Sequence, residues 1–152
     1  MPNMTDNDIK IINNTINRLL TMREHSREEL LTKLLNRNFD QVLCEIQLNK
    51  YTQVNLPSEK RFAQVMVRSR VSKSVGEQRI QRELEAHEIS QELIQNAFSE
   101  QSQDWNELAM QVYVKNFGLK APQDWQKQQK CNRLLQYRGF SHEQIRNVYP
   151  LL

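Results

Sequence analysis

The chain has 152 residues, with 21 lysines and arginines against 18 carboxylates and a formal net charge of +3. Only 38% of residues are hydrophobic and glycine and proline number 3 and 4, so several small cores in an elongated body are expected, with almost no strand signal. A run of eighteen apolar residues for a membrane span is missing, residues 1–10 lack a signal-peptide pattern, and Cys44 and Cys131 form no disulfide framework, which together predict a cytosolic chain. In chain order, the apolar period first predicts a helix over 6–23. Ser26 with Glu29 makes a capping box that opens a second helix, 27–37, and Asn38 suits the left-handed residue beyond it. A third helix follows over 41–50. Pro57 stands near the first turn of a fourth, 58–72, and Ser74 with Glu77 predicts a box for a fifth, 75–87. A sixth covers 91–100. Asp104 with Glu107 opens a seventh, 104–117, closed by Gly118. Pro122 begins an eighth, 122–138, closed by Gly139, and Ser141 with Gln144 boxes a ninth, 142–150.

These nine helices fall into three sets of three, because the sequence repeats at about fifty residues. KLLNRNFD at 33–40, ELEAHEIS at 83–90 and LLQYRGFS at 134–141 share their columns. Leu34, Leu84 and Leu135 align, as do Phe39, Ile89 and Phe140. Leu30, Ile80 and Cys131 lie one turn upstream and Cys44, Ile94 and Ile145 downstream, while Asp40, Ser90 and Ser141 supply a polar cap after each turn. Self-similarity of this length predicts an all-α, elongated array of three tandem three-helix, helix-turn-helix-like repeats over 1–55, 56–101 and 102–152. Within each repeat the second and third helices meet across a turn too short for anything but a steep crossing, with the aromatic residue or Ile as its wedge. The third helices begin Gln41, Gln91 and His142 and carry Glu92 and Glu143, a poor set for reading bases.

Charge is segregated along the chain. From 60 to 82 seven basic residues face one acidic residue, Glu77; from 83 to 107 seven carboxylates face no lysine or arginine; from 115 to 138 six basic residues face Asp124 alone. Basic stripes of this kind attract phosphates or an acidic protein surface over roughly 8 Å at physiological salt.

A reaction centre is not in prospect. His25, His87 and His142 are far apart, and neither His87-Glu88 nor His142-Glu143 continues to the second histidine of a zinc helix, so no metal is expected. Cys44 and Cys131 occupy apolar columns and read as small buried hydrophobes. Gly76, Gly118 and Gly139 are isolated turn residues and form no phosphate loop, so neither a cofactor nor ATP hydrolysis is expected. Trp105, Trp125, Tyr113, Phe117 and Tyr137 could stack single-stranded bases, but core packing is the expected role; Phe62 and Phe98 are assigned to the core, and Tyr51 alone is left without one. The expectation is a binding protein, not an enzyme, and a monomer, since no helix carries a second apolar stripe.

Three stretches bring a family into view. REHSREELLTKL at 23–34, RFAQVMVRSR at 61–70 followed by Gly76 and RIQREL at 79–84, and LLQYRGFS at 134–141 stand in order over 16–149, and together the chain resembles the RecX family of bacterial recombinase regulators. It departs from the family pattern where Lys50, Tyr51 and a loop through Pro57 replace a Gly-Tyr and acidic pair, and where Glu88 replaces the glycine before Ile89. The resemblance implies a three-repeat regulator that binds the groove of the RecA nucleoprotein filament, lowers its ATPase, strand-exchange and coprotease activities, and limits filament growth in the SOS response and DNA repair. The basic residues Arg23, Arg27, Lys33, Arg61, Arg68, Arg70, Lys73, Arg79, Arg82, Lys127, Lys130, Arg133 and Arg138 are the candidate contacts with filament protein or DNA phosphate. The alternatives are a tandem tri-helical DNA-binding protein, whose affinity would fall steeply with salt, and a scaffold that holds a partner's helix in an apolar groove. The alternative to any contact role for Arg79, Arg82 and Arg133 is pairing with carboxylates such as Glu83 and Glu85.

Overall fold

The computed structural model describes residues 4–54 and 56–152. Among the described residues nine α-helices run in chain order: α1 (Met4–Met22), α2 (Arg27–Leu35), α3 (Gln41–Gln53), α4 (Glu59–Ser72), α5 (Glu77–Ala86), α6 (Gln91–Gln101), α7 (Trp105–Phe117), α8 (Trp125–Tyr137) and α9 (His142–Arg146), followed by a 3-10 turn at Tyr149–Leu151. Among the described residues no strand forms, and no helix is long and apolar enough to cross a membrane.

Three separate cores follow from the apolar columns. Ile12, Ile16 and Leu19 of α1 close on Leu30, Leu34, Cys44 and Leu48; Phe62, Ala63 and Val67 of α4 close on Ile80, Leu84, Ile94, Ala97 and Phe98; Leu108, Ala109, Val112 and Tyr113 of α7 close on Cys131, Leu135, Phe140, Ile145 and Val148. The chain is thus an all-α, elongated array of three-helix repeats. Its accessible surface of 9734 Å² exceeds by about a fifth the roughly 8,100 Å² of a compact body of 18.1 kDa. One column is uneven: Ile89 and Phe140 are buried, at 5% and 0% exposure, whereas Phe39 is only half-buried against the first core.

Most of the helix punctuation holds, and the departures have local causes. Ser26 and Ser141 form complete capping boxes, and Asp40, Ser90 and Asp104 accept the amide three residues on. The expected Ser74–Glu77 box does not form: Ser74 sits at φ +61°, and Gly76 is the N-cap of α5 with no side-chain bond. α8 begins at Trp125 instead of 122, because Asp124 accepts from the Lys127 amide and so caps the helix beyond Pro122. α9 stops at Arg146 and Pro150 falls in the 3-10 turn, since proline has no amide with which to prolong an α-helix.

Gly76 holds the key to how the second and third repeats join. Its amide donates to the Arg138 carbonyl at 2.7 Å, and the Gln78 amide donates to the Gly139 carbonyl at 3.0 Å. The free amides at the start of α5 are therefore satisfied by the turn between α8 and α9. A Cβ on Gly76 would stand 2.4 Å from the Gly139 carbonyl carbon, and one on Gly139 would stand 2.4 Å from the Arg79 Cβ. Gly76, expected as a turn residue, is needed for this close approach, its φ being an ordinary −78°. Gly139 is needed both for the approach and for its φ of +104°.

Candidate functional site

The glycine clasp lays the first turn of α5 against the end of α8, and side chains from both helices meet there. Arg79, Arg82, Arg133, Gln136 and Tyr137 line an open groove of about 470 Å³. Arg79 and Arg82 lie one helical turn apart on α5; Arg133 and Tyr137 stand four apart on α8. The Arg79 guanidinium lies 5.3 Å from the centre of the Tyr137 ring, whose side of the groove is open enough to leave Tyr137 72% exposed. Among the described residues no carboxylate lines the groove. Glu83 is 3.6 Å from Arg79 but binds Arg70 more closely, at 2.6 Å. Glu85, the other acid expected to pair here, accepts from Gln81 and Gln91, and their amide bonds hold its carboxyl below the ordinary range. Among the described residues Arg82 and Arg133 form no ion pair. Three guanidinium groups beside an exposed aromatic ring can bind phosphate or carboxylate with forked hydrogen bonds, and the ring can stack on a planar group.

The other candidate residues separate into groups. Arg23 is tied to Glu29 at 2.6 Å, and the hydrogen bond with that carboxylate, opposed by burial, raises its pKa. Burial pushes Glu29 up, but the bonds from Arg23 and the Ser26 amide, with the charges of Arg23 and His87, outweigh it and hold the carboxyl low. Arg27 donates to Asn49, and Lys33 approaches the ring of buried His25 at 3.0 Å. Arg61 binds Glu24 at 3.0 Å. Arg23 and Arg70 border a cavity of about 280 Å³ floored by Phe62, Val65 and Met66, and Arg68 lines a small one with Glu100. Lys73 and Arg138 join Lys115 around a cavity of about 280 Å³, and Lys127 and Lys130 line another beside Tyr113 and Phe117. Arg79, Arg82 and Arg133 converge across a repeat boundary without a carboxylate among the described residues of the lining, as Lys73 and Arg138 do beside Lys115; the arginine groove adds the exposed ring of Tyr137. Gln136 was not expected in the groove, although it adjoins Tyr137 and stands three residues from Arg133 on the same helix.

The aromatic residues divide more sharply than the sequence implied. Phe62, Phe98 and Tyr113 are core, and Trp105 and Phe117 pack half-buried against it. Trp125 and Tyr137 are not core, at 73% and 72% exposure. Tyr51, left without a core, packs against the first one, and its hydroxyl donates to Asn17 Oδ1 at 2.9 Å. Both thiols are buried. Burial, aided at Cys44 by Asp40, pushes their pKa values up and keeps them protonated, the inert state of a cysteine. Among the described residues no three histidine, cysteine or carboxylate side chains cluster as a metal would require.

Tandem three-helix repeats with a basic surface groove define a helical-repeat protein. Family models place it further: residues 103–149 match the third three-helix domain of RecX and residues 58–97 match the second. The regulatory protein RecX of Vibrio vulnificus is 39% identical over 129 residues, covering 84% of each chain, and that of Serratia proteamaculans is 34% identical over 154 residues, covering 87% of this chain and 92% of the relative. The chain belongs to the RecX family. The crystal structure of RecX from Lactobacillus salivarius superposes with a TM-score of 0.75 at 20% identity over 95% of this chain and 97% of that one, and a second crystal structure of a regulatory protein RecX gives 0.79 at 18% identity over 95% and 72%.

Proposed function

We propose that this chain is a cytoplasmic, monomeric regulator that binds the RecA nucleoprotein filament and inhibits its ATPase, strand-exchange and coprotease activities, with units over 1–55, 56–101 and 102–152 as its repeats. The observation that carries the reading is the convergence of Arg79, Arg82 and Arg133 from two repeats on one groove with no carboxylate in its lining. Membership of a family of regulatory proteins supports it, and so does an elongated body able to lie along a filament. The groove engages acidic protein surface or DNA phosphate, and the remaining basic candidates form the wider positive field around it.

The test is RecA ATPase on single-stranded DNA with and without the full chain. Inhibition is expected at protein levels far below those of the recombinase. Combined Arg79→Glu, Arg82→Glu and Arg133→Glu should weaken inhibition by about tenfold or more, equivalent to about 1.4 kcal/mol or more of lost binding. Unchanged inhibition by the triple variant would place the contact elsewhere. The exposed ring of Tyr137 beside Arg79 favours one second reading, binding of naked DNA. In that case affinity for DNA without recombinase falls as salt rises, with a log–log slope of roughly −2 to −3 for three phosphate contacts, and recombinase turnover is unaffected.

A further inference from the structure

A second cavity, of about 350 Å³, opens between the end of α7, the segment leading into α8 and the first half of α8. It uses a different face of α8 from the arginine groove. Gln123, Lys127, Lys130 and Cys131 recur at helical spacing along its wall, whereas Arg133 and Tyr137 belong to the other end of the helix. Its floor is apolar. Buried Tyr113 and Cys131 form the base, half-buried Phe117 and Pro122 the sides, and Ala121 the lip. Tyr113 is held there by its hydroxyl, which donates to the Lys120 carbonyl at 2.7 Å.

Three lysines, Lys120, Lys127 and Lys130, ring this floor, and among the described residues no carboxylate lines the cavity. Lys127 Nζ donates to the neutral amide of Gln123 at 2.9 Å. Asp124, the acid nearest in sequence, accepts the Lys127 backbone amide at 2.8 Å as the helix cap. Apolar surface inside a ring of unneutralised ammonium groups fits a ligand that is apolar at its centre and anionic around it.

We infer that this cavity is a docking site for an acidic peptide segment carrying one large apolar side chain, which seats on Phe117, Pro122 and Ala121 while flanking carboxylates meet the three lysines. The size is near the lower end of the range for ligand pockets, about 300–1,000 Å³, which suits a single anchoring side chain. A nucleotide fits less well. Base stacking requires an open aromatic face, and Tyr113 is 1% exposed and lies at the bottom. Lysine also offers a mobile point charge, suited to carboxylates held on a flexible segment, and not the planar fork of arginine.

The site is independent of the arginine groove, and the experiment keeps the two apart. The probe is a short fluorescein-labelled peptide of glutamates around one central phenylalanine, titrated into the full chain and read by anisotropy. Saturable binding is expected. It should weaken by about tenfold or more when the peptide's phenylalanine becomes alanine, and again in a Lys127→Glu, Lys130→Glu variant. Ala121→Trp, which fills the cavity from an exposed position, should block binding with the circular dichroism unchanged. The Arg79, Arg82 and Arg133 triple variant should bind the peptide as the natural chain does, even where it no longer inhibits recombinase. Equal affinity for the alanine-centred peptide, absence of saturation, or tighter binding of a dT oligonucleotide through Lys127 and Lys130 would each overturn the assignment.

Discussion

The two junctions between repeats bring together equivalent parts of the chain and join them by different chemistry. In both, the N-terminus of a repeat's second helix faces the helix–helix turn of the next repeat. Between the second and third repeats the contact is made by backbone: Gly76 and Gln78 donate directly to the Arg138 and Gly139 carbonyls. Val71 and Trp105 pack against both of those cores. Between the first and second repeats the free amides of α2 are covered by side chains. The Ser26 amide donates to Glu29 Oε1 at 3.2 Å, and the Arg27 amide to Glu59 Oε1 at 2.9 Å. His87 Nδ1 lies 3.0 Å from Glu28 Oε2 and 3.4 Å from Ser26 Oγ. Among the described residues no apolar side chain packs against both the first and second cores. A junction of backbone demands glycine and fixes one geometry; a junction of side chains tolerates larger residues and brings ionisable groups into the contact.

Breaking the backbone junction should have the largest effect. Gly139→Val combines a left-handed φ of +104° with a Cβ 2.4 Å from that of Arg79, so a loss of roughly 4 kcal/mol is expected from strain and overpacking together. The midpoint of urea unfolding measures it. A shift no larger than that of Glu88→Ala, at the matching position of the other junction, would show the two to be alike. Next come the wedges. Phe140→Ala removes a fully buried ring and should cost about 3 kcal/mol, whereas Phe39→Ala, from a half-buried site, should cost less than half as much in the same titration. Smaller again, and opposite in sign, is Glu88→Gly. Glu88 holds φ at +60°, a conformation that costs a side-chain-bearing residue about 1–2 kcal/mol, so glycine there should stabilise the chain by roughly 0.5–1 kcal/mol after its greater unfolded-state entropy is subtracted. Glycine at 88 and valine at 139 moving the midpoint in the same direction would contradict the comparison.

Much of this array is legible in the sequence because the repeat tests itself: Leu34, Leu84 and Leu135 share a column and all three are fully buried. Caps were readable where a side chain makes the bond, as at Ser26, Asp104 and Ser141. They were misread at Ser74, because the partner that satisfies α5 is a carbonyl some sixty residues away and no local pattern encodes it. The arginine groove was half legible. Charge runs singled out Arg79, Arg82 and Arg133 together with ten other basic residues. What distinguishes these three is their meeting beside the exposed Tyr137 ring, which depends on the Gly76–Gly139 contact, and the weak hold of Glu83 on Arg79, which depends on Arg70 taking that carboxylate. Exposure of Trp125 was hidden for the same kind of reason: the Asp124 cap makes it the first residue of α8, outside the apolar face.

The smallest effect expected is a pH dependence that belongs to the side-chain junction alone. His25, beside Ser26, is 1% exposed; its Nδ1 is 2.9 Å from the Arg23 carbonyl and its Nε2 is 3.0 Å from Lys33 Nζ. Lysine only donates, so the network assigns Nε2 as acceptor and the ring as neutral. Burial lowers the His25 pKa, the Arg23 carbonyl opposes it, and the charges of Arg23 and Lys33 lower it further. Below the ordinary value of 6.5 the unfolded chain therefore takes up a proton that the folded chain resists. The stability tied to His25 is whole above pH about 6.5 and drains away as pH falls toward the folded-state value. Glu59 acts with the opposite sign. Burial raises its pKa, against the Arg27 amide and charge and that of His87, so its charged form weakens the fold at neutral pH and that penalty fades on acidification. Hydrogen exchange of α1 and α2 should thus quicken between pH 7.5 and 5.5 relative to global unfolding, while α7 and α8, docked through glycine backbone, keep their protection. His25→Gln should flatten the pH response of the first repeat, and Glu59→Gln, which retains an acceptor for the Arg27 amide, should slow exchange at pH 7.5 without removing the His25 step. An equal response of α8 to the same pH change would mean that ionisation acts on the chain as a whole and that the two junctions do not differ in kind.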